Sequence, residues 1–253
     1  MGRGPLTGYE IGLVTLIFLV AGTAKGTLGI GLPTIAISLM SQVLDPRLAV
    51  TLTIGPLILT NIQQMLRGGH ISRTLRRYAP YSLALAITIT LSAMFAQNLS
   101  AQALLLIMGV GIIVFALAQL LITPPPLPTH LDTPTQLTAG AVSGLVGGVT
   151  AIWGPPLMIY LMASRVDKEE FVRALGTLLT IGGIPLALVY AWQGQFWGER
   201  AWISFGLAIP AVIGFMIGER FRAKLNPARF QTAVLVMFLL LGANILRRAI
   251  VGG

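Results

Sequence analysis

The sequence predicts an all-α polytopic membrane protein made of two inverted-topology repeats. Of its 253 residues 55% are hydrophobic and 10% charged, and the mean hydropathy is +0.83, which leaves too little polar surface for a soluble globular protein. A glycine-broken apolar segment occurs once in each half of the chain, and the basic residues concentrate in particular connections. Together these observations predict that each half forms a broken or re-entrant helical hairpin followed by three transmembrane helices.

The first hairpin is expected over residues 9–43. Its centre, Ala21 to Pro33, reads Ala-Gly-Thr-Ala-Lys-Gly-Thr-Leu-Gly-Ile-Gly-Leu-Pro and has apolar residues on both sides. Glycine and proline weaken a helix, and a lysine costs about 2.5–3.5 kcal/mol at the centre of a bilayer. Non-helical backbone persists in a membrane only where protein or a water-filled cavity satisfies its polar groups. We therefore expect a broken helix around a polar site that contains Lys25.

The rest of the first repeat, residues 1–122, is predicted to consist of spanning helices. They are the apolar segments 46–66, 78–97 and 101–122, each near the roughly 20 residues that a helix needs to cross the hydrocarbon. A proline-rich linker over 123–133, which contains no lysine or arginine, then separates the two repeats.

The second repeat, residues 134–253, is predicted to copy the first, with a hairpin over 134–164. Its three helices are expected over 168–192, 201–219 and 226–248. The glycine spacing that the hairpins share is that of Gly22, Gly26 and Gly29 in the first and of Gly140, Gly144 and Gly147 in the second. Glycines alone are better explained by close helix packing. The repetition of the whole pattern, however, favours two hairpins that build one site.

Three helices after each hairpin give an odd number of crossings, so the second repeat should have the opposite orientation. Basic residues test this, because lysine and arginine concentrate in cytoplasmic connections. Inverted repeats place the following residues on one side: Arg67, Arg73, Arg76, Arg77, Arg165, Lys168, Arg173, Arg220, Arg222, Lys224 and Arg229. The other side receives Arg3, Arg47, Arg200, Arg247 and Arg248. This bias predicts that the eleven residues of the first set face the cytoplasm and that both chain termini lie on the external side.

Lys25 is the strongest candidate for a functional residue. No acidic residue occupies an apolar segment near it in the sequence, so its charge is available to an anion. Helices that begin near Gly31 and Gly154 would direct free N–H groups and positive dipole ends to the same region. The guanidinium of Arg173 suits an oxyanion, although a lipid phosphate is the alternative partner. The other predicted substrate contacts are Thr27, Gly29, Ser143 (at the place of Lys25 in the second hairpin), Gly147, Trp153 and one of the amides Asn61, Gln63 and Gln64, for which Gln63 is chosen.

Several function classes are disfavoured by what the sequence lacks. Without cysteine there is no disulfide, thiol catalyst or thiolate metal site, and His70 and His130 are too far apart in sequence to suggest a metal centre. No phosphate-binding loop, Gly-Xaa-Ser-Xaa-Gly or His-Glu-Xaa-Xaa-His motif occurs. We therefore expect no enzyme activity, no cofactor and no metal. The net charge is +9, but the basic residues do not form a domain in which they alternate with aromatic residues. The charge therefore does not indicate binding of nucleic acid.

The glycine motifs resemble those of the TauE/SafE family of sulfite exporters, also called the toluene sulfonate uptake permease family. The resemblance rests on four segments: Gly22–Pro33, Gly140–Gly148, Trp153–Pro156 and Phe171–Ala174. It implies transport of a small sulfur-containing anion such as sulfite, a sulfonate or sulfoacetate. We expect a secondary transporter in the inner (plasma) membrane that exports this anion, with one repeat rocking against the other. The expected partners are this anion and membrane lipids, and a homo-oligomer is compatible with the sequence. An anion-selective channel and a lipid-processing membrane enzyme are the alternatives.

Overall fold

The computed structural model describes residues 7–222 and 227–251, which form α-helices joined by short connections and contain no β-strand. In chain order the helices are α1 (Gly8–Leu28), α2 (Leu32–Met40), α3 (Pro46–Gly68), α4 (Ile71–Arg77), α5 (Ala79–Ala96), α6 (Ala101–Leu121), α7 (Asp132–Thr150), α8 (Gly154–Ala163), α9 (Lys168–Trp192), α10 (Gly198–Arg222) and α11 (Pro227–Val251). A short 3-10 turn, Thr129–Leu131, precedes α7.

Seven helices within the described residues are long and apolar enough to cross a membrane, namely α1, α3, α5, α6, α9, α10 and α11. The protein is therefore a multi-pass membrane protein. α2 and α8 have only 9 and 10 residues and each follows a longer helix, α1 or α7, with which it forms a hairpin. α4 lies in a connection where the sequence predicts no helix. The expected helix 226–248 begins at a residue outside the described ranges.

The helix after each hairpin begins at an aspartate. The side chain of Asp45 accepts hydrogen bonds from the backbone N–H groups of Arg47 and Leu48, and that of Asp167 accepts one from Glu170 at 2.8 Å. An N-cap carboxylate satisfies N–H groups that have no partner inside the helix. The two aspartates therefore fix the starts of α3 and α9.

Two helix pairs are held together by glycines that let the backbones touch. In the pair α1 and α10, a Cβ added to Gly26 would lie 2.1 Å from the carbonyl oxygen of Phe215, and one added to Gly218 would lie 2.0 Å from that of Thr23. A side chain at either glycine would force the helices apart, as at other small-residue interfaces between membrane helices. We call this contact the α1–α10 glycine seam.

The pair α5 and α7 has a corresponding contact, the α5–α7 glycine seam. A Cβ added to Gly144 would lie 1.9 Å from Oγ1 of Thr88, and one added to Gly148 would lie 2.0 Å from Oγ of Ser92. The hydroxyl of Ser92 also donates to the carbonyl oxygen of Gly144 at 2.8 Å. Packing is thus the structural reason for most of the repeated glycines.

Between the seams, α3 and α9 cross at the centre of the protein and run in opposite directions. Gly176 near the start of α9 lies against Gln64 near the end of α3, whereas Gly183 lies against Leu57. α6 and α11 also run in opposite directions, because Gln102 at the start of α6 donates to the carbonyl oxygen of Ala249 near the end of α11. These two pairs complete the packing around the hairpins.

Candidate functional site

Each hairpin is broken by residues in the left-handed backbone region. In the first hairpin Gly29 and Gly31 have φ values of 86° and 102°, which glycine adopts without the steric cost that a Cβ brings. In the second hairpin Ala151, with φ 57°, ends α7. The short helices then start with Pro33 and Pro155 in their first turns, where a missing N–H costs no hydrogen bond.

The two breaks face each other across a cavity of about 390 Å³, which we call the central cavity. Its lining consists of Lys25, Ile30, Gly31, Pro33, Thr34, Leu57, Asn61, Phe115, Ala151, Ile152, Trp153, Gly154, Pro155 and Leu179. Both hairpins, α3, α6 and α9 thus contribute to one largely apolar chamber with a few polar groups.

Lys25 is the cationic residue of the central cavity, and only 1% of its surface is exposed. Its ammonium donates to Oγ1 of Thr60 at 3.0 Å and to Oδ1 of Asn61, both neutral oxygens. The ion pairs found among residues 7–222 and 227–251 do not include it. Because an ammonium has three donors, two bonds to α3 leave one N–H for a ligand.

Asn61 connects this ammonium to the second half of the chain. Its Nδ2 donates to the carbonyl oxygen of Leu179 on α9 at 3.2 Å while its Oδ1 accepts from Lys25. Thr60 in turn donates to the carbonyl oxygen of Pro56 at 2.7 Å, which orients its lone pairs toward other donors. The lysine is therefore held by side chains that are themselves fixed.

Four of the predicted site residues line the central cavity: Lys25, Gly31, Trp153 and Gly154. Trp153 is 1% exposed and its indole N–H has no hydrogen-bond partner within the described part of the chain. An unpaired buried donor costs about 1–3 kcal/mol. The indole N–H is thus available to an acceptor from a ligand or a water molecule.

Three other predicted residues lie behind the cavity lining. Thr27 donates to the carbonyl oxygen of Gly218 at 3.2 Å within the α1–α10 glycine seam. Ser143 shares a 2.6 Å hydrogen bond with the hydroxyl of Tyr81 on α5, and Gly147 packs against the side chain of Trp153. Their contact with a substrate stays a prediction, and in this conformation they stabilise the walls.

Gly29, Gln63 and Arg173 lie toward the end of α3 that follows Asn61. Gly29 lines a second cavity of about 430 Å³, which also contains Gln64 and Arg67. Arg173 packs against Gly68, and its Nε and the Oε1 of Gln63 are buried without a hydrogen-bond partner in the described residues. The substrate contacts expected of these residues also stay predictions.

The sequence singled out neither Thr60 nor Leu179, and it treated Asn61 only as one of three amides. A Thr-Asn pair one turn after Pro56, inside an apolar segment, is the signal that could have identified them. Within the described residues no group of three or more histidine, cysteine, aspartate or glutamate side chains could hold a metal ion.

Comparison with known proteins agrees with this architecture. A family model described as "Sulfite exporter TauE/SafE" matches residues 14–245, which include most of the first hairpin, the whole second hairpin and every residue that lines the central cavity. Neither the curated proteins nor the solved structures give a match. With a family match over nearly the whole chain and a helical membrane fold, the protein belongs to the TauE/SafE family of sulfite exporters.

Proposed function

We propose that this protein is a secondary transporter that exports a small sulfur-containing oxyanion, sulfite or an organosulfonate, across the inner membrane by alternating access. The observation that carries the proposal is the buried ammonium of Lys25, which lines the central cavity and has only neutral partners. A buried charge normally has a partner of opposite sign. An anionic substrate supplies that partner each time it binds.

The strength of such a site follows from its burial. Two unit charges 4 Å apart attract by about 4 kcal/mol at an effective dielectric constant of 20, against about 1 kcal/mol in water. The N-termini of α2 and α8 add N–H groups and positive dipole ends at Leu32 and Gly154. The apolar remainder of the lining accommodates an organic substituent as well as it does a bare sulfite.

The helix packing supports two inverted repeats. If α1 is matched to α7, α2 to α8, α3 to α9, α5 to α10 and α6 to α11, exchanging the halves turns the α1–α10 seam into the α5–α7 seam. The same exchange maps the α3–α9 and α6–α11 contacts onto themselves. Matched helices also run in opposite directions in the α3–α9 and α6–α11 pairs. Opposed repeats around a midplane site are the usual architecture for alternating access.

The glycine seams suggest which bodies move. Each seam joins a hairpin helix of one half to a helix of the other half, so rocking one sequence repeat against the other would break both seams. Motion along the α3–α9 contact would keep the seams intact, with α1, α3 and α10 on one side and α5, α7 and α9 on the other. The moving bodies we propose are therefore mixed from the two repeats.

Export needs no coupling ion in this scheme. Moving one negative charge out of a cell that is negative inside releases about 2.3 kcal/mol per 100 mV.

The orientation used here puts the end of α3 in the cytoplasm, because Arg67, Arg73, Arg76 and Arg77 lie there and basic residues concentrate on the cytoplasmic side. Of the other basic residues on that side, Lys224 and the side chains of Arg222 and Arg229 lie outside the part of the chain that the structure describes. An exporter family also agrees with the expectation that the chain is not an enzyme.

The test is transport of [35S]sulfite in proteoliposomes. Lys25→Ala should abolish transport, whereas Lys168→Ala, which removes the same charge from an exposed position at the start of α9, should leave it unchanged. Unlabelled sulfite on the opposite side should accelerate the influx of label, which a channel does not show. Equal transport by wild type and Lys25→Ala would refute the proposed site, and the lack of exchange acceleration would favour a channel.

A further inference from the structure

A third cavity, of about 260 Å³, lies at the end of the protein where α3 begins and where α5 and α9 end. We call it the Arg47 cavity. Arg47 shares its walls with the hydroxyphenyl group of Tyr190 and with three glutamines, Gln97, Gln193 and Gln195. The cavity is distinct from the central cavity, because the two have no lining residue in common.

The charge of Arg47 has no acidic partner among the residues that the structure describes. Its Nη2 donates to the backbone carbonyl oxygens of Gln97, at 3.2 Å, and Leu99, whereas its Nε is buried without a hydrogen-bond partner. The nearest carboxylate in the sequence, that of Asp45, accepts from backbone N–H groups as the N-cap of α3. A guanidinium held only by neutral groups retains its positive field.

The opposite end of α3 provides the contrast. Arg67 there lines the cavity that contains Gly29, but it forms an ion pair with Glu219 and lies over the ring of Phe215 at 5.7 Å. The two cavities occupy corresponding places at the two ends of the α3–α9 pair. An arginine is thus neutralised at one end and not at the other.

The glutamines add adaptable polar groups beside the guanidinium. Nε2 of Gln193 donates to the carbonyl oxygen of Ala93 at 3.3 Å, and Nε2 of Gln195 reaches Oε1 of Gln193 at 3.5 Å. Each side-chain amide carries two N–H donors, so both keep a donor for a ligand. Planar guanidinium forks and amide donors together form a favourable environment for an oxyanion.

We propose that the Arg47 cavity is a second oxyanion site, in which the substrate pauses between the central cavity and one side of the membrane. Arg47 holds the anion and the glutamines orient it. Fourteen residues of α3 separate Arg47 from Asn61, which corresponds to about 21 Å along the helix. The substrate identity rests on the proposed function, but the presence of an anion site at Arg47 does not.

Binding stoichiometry tests the proposal. The purified protein in detergent should bind two [35S]sulfite ions per chain in equilibrium dialysis, and Arg47→Gln and Lys25→Ala should each bind one. The matched control is Arg248→Gln, because Arg248 also donates to a backbone carbonyl oxygen, that of Ser41, but lies outside this cavity. It should bind two.

The outcomes separate the two proposals. One sulfite per chain in the wild type, lost in Lys25→Ala and kept in Arg47→Gln, would overturn the second site and leave the proposed function standing. Two per chain in Lys25→Ala with one in Arg47→Gln would support the second site and refute the assignment of Lys25. If Arg47→Gln does not fold, the wild-type stoichiometry still decides.

A purely structural role for Arg47, as a clamp on the two carbonyl oxygens, is distinguished by sided transport. Arg47→Gln should raise KM about tenfold for sulfite presented on the membrane face nearer the Arg47 cavity, because a charge-assisted hydrogen bond is lost. The maximal rate of transport from that face should stay unchanged. KM on the opposite side should not change, but the maximal rate from that side should fall about tenfold, because a passive carrier at zero membrane potential keeps the same Vmax/KM in both directions. Arg47→Lys should recover most of both effects. Equal losses of maximal rate on both sides, with a lower melting temperature, would contradict the proposal.

Discussion

Replacing Asn61 by aspartate would place a carboxylate against the ammonium of Lys25. The substituted side chain keeps an oxygen at the position of Oδ1, which accepts the hydrogen bond from Lys25. It loses the Nδ2 donor to the carbonyl oxygen of Leu179. The main change is therefore a negative charge where the native cavity has a neutral amide, so the lysine acquires a permanent partner and no longer attracts an anion.

The size of the effect follows from the geometry. Two oxygen atoms that accept from one tetrahedral nitrogen at about 2.9 Å lie about 5 Å apart, which gives the distance between the introduced carboxylate and a bound anion. At that distance and an effective dielectric constant of 20, like charges repel by about 3 kcal/mol. Since about 1.4 kcal/mol corresponds to tenfold, sulfite should bind Asn61→Asp more than a hundredfold more weakly.

Titration of the purified protein with sulfite measures this change directly. The control is Gln102→Glu, which converts an exposed amide to a carboxylate at the start of α6, outside the central-cavity lining, and which should reduce affinity less than threefold. Melting temperatures verify that both variants are folded. A folded Asn61→Asp variant that binds sulfite within threefold of wild type would refute the role assigned to Lys25.

Three further predictions concern stability. Gly26→Ala should lower the free energy of unfolding by about 1–3 kcal/mol, and with it the melting temperature, because its Cβ would lie 2.1 Å from a carbonyl oxygen of α10. Gly12→Ala, whose Cβ would have no atom within 4 Å, should not lower the melting temperature, and equal melting temperatures of the two variants would contradict the α1–α10 seam. Burial raises the pKa of Asp132, but hydrogen bonds led by that from Arg77 outweigh it and lower this pKa, so Asp132 stabilises the protein above about pH 4 and this contribution is lost as the pH falls further. Asp132→Asn should weaken the acid dependence of the melting temperature, and an unchanged dependence would exclude this source. Ala151→Gly should stabilise the protein by about 1 kcal/mol by relieving the φ of 57°, and a lower melting temperature would argue against that backbone conformation.

The sequence was informative wherever a pattern depends on neighbours along the chain. Glycine and proline located the breaks near Gly29, Gly31 and Gly154, because their effect on a helix acts within a turn or two. The apolar segments located the starts of α3 and α9, at residues 46 and 168. The buried charge of Lys25 was also predictable, because an ionisable residue within an apolar membrane segment usually faces the protein interior or a cavity.

The partners of Lys25 were not predictable in the same way. Its hydrogen bond to Asn61 depends on how α1 meets α3, and the bond from Asn61 to Leu179 spans 118 residues. One amide in three neighbouring positions faces the cavity, and helical periodicity alone does not say which. The pairing of α1 with α10 likewise depends on complementary glycines at 22, 26, 214 and 218, whose match appears only in three dimensions.

The two glycine seams can form only at very different times during synthesis of the chain. Ser92 and Gly144 of the α5–α7 seam are 52 residues apart, whereas Thr27 and Gly218 of the α1–α10 seam are 191 residues apart. At about 5–20 residues per second, α1 waits roughly 10–40 s for its partner helix to be made. During that interval its small-residue face and its lysine must be shielded by lipid, by the insertion machinery or by α3, so premature release of the nascent chain would leave the amino-terminal helix the most exposed to misassembly and proteolysis.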